Sequence, residues 1–178
     1  VERHAEPPIT MLTSLYEAGQ PEALHAVRDE TFLDWRYDNP EWTYRGYSAS
    51  VGGEVDAALV TGHQTADDGV AKTSIVDVLP LERSQDRARA LQAILPAVLE
   101  DAADDDLVGY SGRSIPSSIL NEYGLRFDGG FPLDYVTNTT NLVAYDITGS
   151  DQPAWTTGGV DLRAPESWGL TYTELDGR

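Results

Sequence analysis

The feature that most constrains the fold is the join between residues 74–79, "SIVDVL", and the helical pattern after it. Leu91 is followed by Ile94, Leu95, Val98, Leu99 and Ala102, at offsets of 3, 4, 7, 8 and 11 residues. That spacing places all six on one helix face. The β-branched run before it and "DLVGYSG" (residues 106–112) after it read as strands. A strand, a helix and a second strand of these lengths form a right-handed parallel crossover. The polar loop "PLERSQDRA" (residues 80–88) then lies where the helix N-terminus points at the gap beyond the first strand. Pro96, inside the helix, costs about 3 kcal/mol or causes a kink unless packing compensates.

The rest of the chain predicts an antiparallel frame around that unit. "PPITMLTSLYEAG" carries Ile9, Leu12, Leu15 and Tyr16 on one helix face and stops at Gly19. A second helical piece covers residues 21–37 and ends before Asn39-Pro40. Residues 44–62 read as a hairpin turning at Val51-Gly52-Gly53-Glu54, and a turn at Asp67-Asp68-Gly69 leads into the next strand. "SIPSSILNEYG" predicts a short helix with Ser114 as N-cap, Pro116 in its first turn and Gly124 as terminator. Two strand-like runs flank Asn138, and residues 149–178 form an irregular tail anchored on the surface by Trp168 and Tyr172. The expectation is one α+β domain over residues 1–178. Its mostly antiparallel, twisted sheet has one parallel crossover and helices on both faces.

Thirty acidic residues against twelve basic ones give a net charge of −18, and Lys72 is the only lysine. Acids spread evenly through the chain resemble the proteins of salt-accumulating halophiles, in which screening removes most self-repulsion. The competing reading is a partner for cations or basic polymers. No basic patch exists to neutralise phosphodiesters, so nucleic-acid binding is disfavoured. No apolar run is long enough to span a bilayer and the N-terminus does not resemble a signal peptide, which predicts a cytoplasmic, membrane-free protein. Without cysteine there is no thiolate chemistry, and His4, His25 and His63 are isolated, so no metal site is expected.

The order of elements resembles the GNAT superfamily of acyl-CoA-dependent N-acetyltransferases over essentially the whole chain. The most specific part is Val78-Leu79-Pro80 followed by Arg83-Ser84-Gln85-Asp86-Arg87-Ala88, similar to a strand ending V-x-P and then R/Q-x-x-G-x-G/A. "FLDWRYDNPEW" (residues 32–42) also looks like a segment in the C-terminal halves of tandem GNAT proteins from halophiles. The resemblance implies acetyl-CoA as co-substrate. Leu79 and Leu81 would line the pantetheine arm, and Arg83, Ser84, Gln85, Asp86, Arg87 and Ala88 would cradle the pyrophosphate, with Arg113 adding a contact. It also implies an amine acceptor, small or peptidic, and a partner that is either an N-terminal GNAT half or a second copy.

Two departures from the pattern bear on chemistry. Asp86 stands at a glycine position, and a carboxylate about 4 Å from a phosphate costs roughly 4 kcal/mol at an effective dielectric near 20. The alternative is that Asp86 turns outward as a helix-starting acid. The tyrosine that many family members use as proton donor is replaced by Leu120, leaving Tyr123 on a neighbouring helix face as the candidate acid or as an aromatic anchor. Asp77, which interrupts an apolar strand, is the candidate general base, with Glu41 as alternative; it is otherwise a water-facing strand residue. Trp35, Tyr37, Trp42, Tyr44 and Tyr47 either roof an acceptor pocket or pack helices on the sheet. Three functions fit: an N-acetyltransferase, a GNAT-like domain without chemistry, or an acidic interaction module on that scaffold.

Overall fold

The computed structural model describes residues 1–129 and 155–174. The two strand-like runs around Asn138 lie outside the described residues. A sheet of five strands runs in spatial order β1 (Glu2–His4), β2 (Thr43–Ser50), β3 (Val55–Thr65), β4 (Ala71–Leu79), β5 (Leu107–Tyr110). Neighbours pair antiparallel except β4 and β5, which are parallel. The β2–β3 turn falls at the expected glycines, with Gly53 at φ +111°, a conformation a side chain rarely adopts. The expected mixed sheet with a single parallel crossover is what the chain forms.

Helices cover both faces. α3 (Gln85–Asp101) lays Leu91, Ile94, Leu95 and Val98 on Tyr47, Leu59, Ile75 and Val78, with α4 (Ser117–Glu122) adding Ile119 to the same core. Full burial of side chains of this size stabilises by about 1.5–3 kcal/mol each. Pro96 is tolerated inside α3, which continues through it to Asp101. On the opposite face α1 (Ile9–Ala18) and α2 (Glu30–Tyr37) pack Leu12, Tyr16 and Leu33 against Tyr44, Val60, Val76 and Leu79.

Three expectations need correction. The second helix begins only at Glu30, where Asp29 accepts the Phe32 amide as an N-cap. The chain before it is held extended by pairing with the tail: the Leu24 amide donates to Ser167 O and the Gly169 amide to Leu24 O. Ser114 does not cap α4; Pro116 holds that position, and Ser114 is buried, its amide donating to the Tyr110 hydroxyl. The tail does more than cover the surface. After a small hairpin, β6 (Thr156–Thr157) and β7 (Val160–Asp161), it descends until Thr171 and Thr173 are buried against β4.

Candidate functional site

β4 and β5 pair in register from Lys72↔Leu107 to Ile75↔Tyr110 and then separate. Val76, Asp77, Val78 and Leu79 continue β4 without a β5 partner. A bulge between Val60 and Thr61 of β3 makes Val76 the extra residue of β4, which breaks the in-and-out alternation. Val76 thereby joins the α1–α2 core, and the next side chain, Asp77, still reaches a partner delivered from the same side. The parallel pair thus opens into a cleft.

The chain fills that cleft with its own tail. Residue 171 bridges antiparallel to Gly112 just past β5, and Thr173 Oγ1 donates to Val76 O at 2.9 Å. Beneath them lies an ion pair with both side chains fully buried, Arg28 Nε to Asp77 Oδ2 at 2.8 Å. Arg28 Nη2 also donates to Glu174 Oε1 (2.6 Å) and Thr171 Oγ1 (3.1 Å). Burial pulls the Arg28 pKa down, but the charges of Asp77 and Glu174 more than offset it and raise it above its ordinary value. Asp77 Oδ1 accepts from the Val78 amide and sits 3.1 Å from the Thr171 hydroxyl. The candidate base is therefore neither water-facing nor open: every contact it makes is inside the fold. Tyr172 leans on Trp42 at 5.8 Å between ring centres, with Lys72 Nζ 5.9 Å from its own ring centre.

The loop after β4 is arranged differently. Ser84 caps α3 by accepting the Arg87 amide, and the Ala88 amide goes to Ser84 O. Among the described residues, the amides of Ser84, Gln85 and Asp86 have no protein acceptor, and all three residues are exposed, as a helix start requires. The Asp86 carboxylate turns outward to Arg89 at 3.1 Å, the second of the two orientations considered for it. Arg83 reaches across the cleft mouth to donate to Arg113 O. Arg87 instead runs inward at 1% exposure, donating to Pro80 O and Ser114 O, while its Nη2 has no partner among the described residues. Burial lowers its pKa to about 10, so it stays charged at neutral pH.

The other expected residues are dispersed. Leu79 and Leu81 point into the α1–α2 core rather than onto a surface, and Ala88 packs against the α3 core. Tyr123 OH donates to Gln92 O at 2.8 Å, tying the end of α4 to α3, and Tyr123 lines the groove beside the cleft. Glu41 is exposed beside the turn at Asn39. Tyr37, Trp42 and Tyr44 form the aromatic wall against which the tail rests, Tyr47 belongs to the α3 face, and Trp35 stands out in solvent. Arg28, Thr171 and Glu174 were not singled out in the sequence. Their signal was indirect: an aspartate in the middle of an apolar strand needs a buried cation, and the chain holds one lysine among its twelve cations.

Beside the cleft a groove of about 1010 Å³ runs along β5 and α4. Among the described residues, Lys72, Arg83, Arg113 and Arg126 line it, four of the chain's twelve cations, with one acid, Asp128. In a chain of net charge −18 the described lining is cationic on balance.

No family model and no curated protein matches the sequence. Among solved structures, a probable acetyltransferase superposes with a TM-score of 0.57 at 11% identity, covering 82% of this chain and 100% of its own. A ribosomal-protein-alanine N-acetyltransferase from Brucella melitensis biovar Abortus 2308 gives 0.46 at 11% identity, over 83% of this chain and 99% of that one. An aminoglycoside acetyltransferase from an uncultured soil metagenomic sample, in complex with sisomicin, gives 0.46 at 12%, over 82% and 94%. The chain shares the fold of the first of these structures, the GNAT-like fold that its sequence predicts.

Proposed function

We propose that this chain is an acetyl-CoA-dependent N-acetyltransferase held closed by its own residues 171–174. The observation that carries the reading is the divided site. The phosphate end keeps exposed helix-start amides next to Arg83, which reaches Arg113, whereas the splayed edge of β4 is occupied by a segment of the tail. Amides at a helix N-terminus favour an anion, and the cation-lined groove adds to that preference. Asp86, turned to Arg89, imposes less repulsion than a carboxylate aimed into the cradle. Acetyl-CoA, once bound, supplies the activated acetyl group. The chain's part is to hold the phosphates, exclude water with the aromatic wall and orient an amine.

Arg87 serves this arrangement as a strut. Its two bonds join the end of β4 to the loop before α4 and so fix the cleft mouth. The remaining readings keep the fold: a GNAT-like domain without chemistry would bind CoA weakly or not at all, and an acidic interaction module would be indifferent to it.

Calorimetric titration with acetyl-CoA decides between them, run at high salt so that the overall negative charge is screened. The expected result is one site with a dissociation constant in the micromolar range. Silence at millimolar acetyl-CoA would assign the chain to the readings without chemistry.

A further inference from the structure

The tail does not simply block the cleft; it makes particular polar contacts there. At its centre, Thr171 Oγ1 lies 3.1 Å from Asp77 Oδ1 and 3.0 Å from Glu174 Oε2. Two carboxylate oxygens converge on one hydroxyl, which has a single proton to give. Beside it, the Glu174 carboxylate sits 2.6 Å from Arg28 Nη2. A donor on Asp77 next to a carboxylate on Arg28 is the pattern of an amino acid's own head group. An ammonium would satisfy the donor position better than a hydroxyl, because it carries three protons.

From this arrangement we infer that residues 171–174 imitate the acceptor, and that the acceptor is an amino-carboxylate such as a free amino acid. Its ammonium takes the place of the Thr171 hydroxyl on Asp77, and its carboxylate takes the place of Glu174 on Arg28. The inference rests on the acetyltransferase reading and names the substrate class of that site. Asp77 and Arg28 are suited to the task because each fixes the other. Their 2.8 Å contact uses Nε and Oδ2, which leaves Nη2 and Oδ1 for what lies above. A simple amine would meet Asp77 but leave Arg28 Nη2 without its carboxylate. That loss gives the site its discrimination.

The test uses the full chain with Glu174→Ala. This change removes the Glu174 carboxylate's bonds to Arg28, to the Ala26 amide and to the amide and hydroxyl of Thr171, while leaving the Thr171 hydroxyl on Arg28 and the Arg28–Asp77 pair in place. L-Alanine, L-alaninamide and ethylamine are titrated separately by calorimetry without acetyl-CoA, and Gly112→Ala serves as a second variant that unseats the tail. The expected result is that L-alanine binds about ten- to a hundredfold more tightly than either compound lacking the carboxylate. Equal binding of all three overturns the inference, and so does no binding by a variant whose tail amides exchange freely. A parallel titration of the same variants with acetyl-CoA separates the two failures. If acetyl-CoA binds and the amino acid does not, only the acceptor assignment is lost; if neither binds, the acetyltransferase reading falls with it.

Discussion

Replacing Arg28 by methionine is expected to lower the free energy of unfolding by about 3–5 kcal/mol, because it leaves a buried carboxylate uncompensated. Arg28 and Asp77 are both fully buried, and Arg28 donates at once to Asp77, the Ala26 carbonyl, Thr171 and Glu174. Removing the cation therefore leaves Asp77 without its counter-charge and takes two of the tail's bonds in one step. The measurement is a urea titration at fixed high salt, read as a change in midpoint at constant slope. Adding Asp77→Leu to Arg28→Met is expected to recover most of the loss, since two apolar side chains in place of a buried ion pair are often neutral or stabilising. A shift within about 0.5 kcal/mol for Arg28→Met, the range of an ordinary surface change, would show that the pair is not buried.

Gly112→Ala is expected to expel the tail from the cleft. Gly112 has φ +141°, and a Cβ there would lie 2.8 Å from Leu170 O and 3.2 Å from Thr171 Cα, both backbone atoms of the tail, and 2.9 Å from the Tyr110 hydroxyl. A side chain in that backbone region costs about 1–3 kcal/mol by itself. The contact with the tail adds to this unless residues 170–171 move out. The expected outcome has two parts: lower stability, and tighter acetyl-CoA binding than the unchanged chain. The second part distinguishes a clash that opens a site from one that merely damages the fold. If Gly112→Ala loses stability and acetyl-CoA binding together, the segment is part of the core and nothing competes with it.

The frame of the fold was legible because its signals are local. The stripe from Leu91 to Ala102 and the glycine turn at residues 51–54 specify their elements without reference to the rest of the chain. Residues 21–29 misled for the opposite reason. Their composition suits a helix, but Ser167 and Gly169, far along the chain, claim the backbone of Leu24 first. The cleft itself was foreseeable from the strand, helix and strand order; its occupant was not. Thr171, Thr173 and Glu174 lie in a stretch without periodicity, and nothing nearby announces contacts with Val76, Asp77 and Arg28 some 90 to 150 positions away (the separations are 97, 94 and 146). Asp77 shows the division clearly. Its oddity on an apolar strand was visible, but a water-facing residue, a base and a buried ion-pair partner all give the same letter in the sequence.

Hydrogen exchange at the amides of Thr171, Thr173 and Glu174, with and without saturating acetyl-CoA, tests the account most directly. In the free protein these amides are held by Glu174 Oε2, Thr171 Oγ1 and Thr171 O, so protection is expected there. With acetyl-CoA bound, the protection should disappear while that of β3 and β4 remains. Undiminished protection of the tail in the saturated complex would contradict a shared cleft.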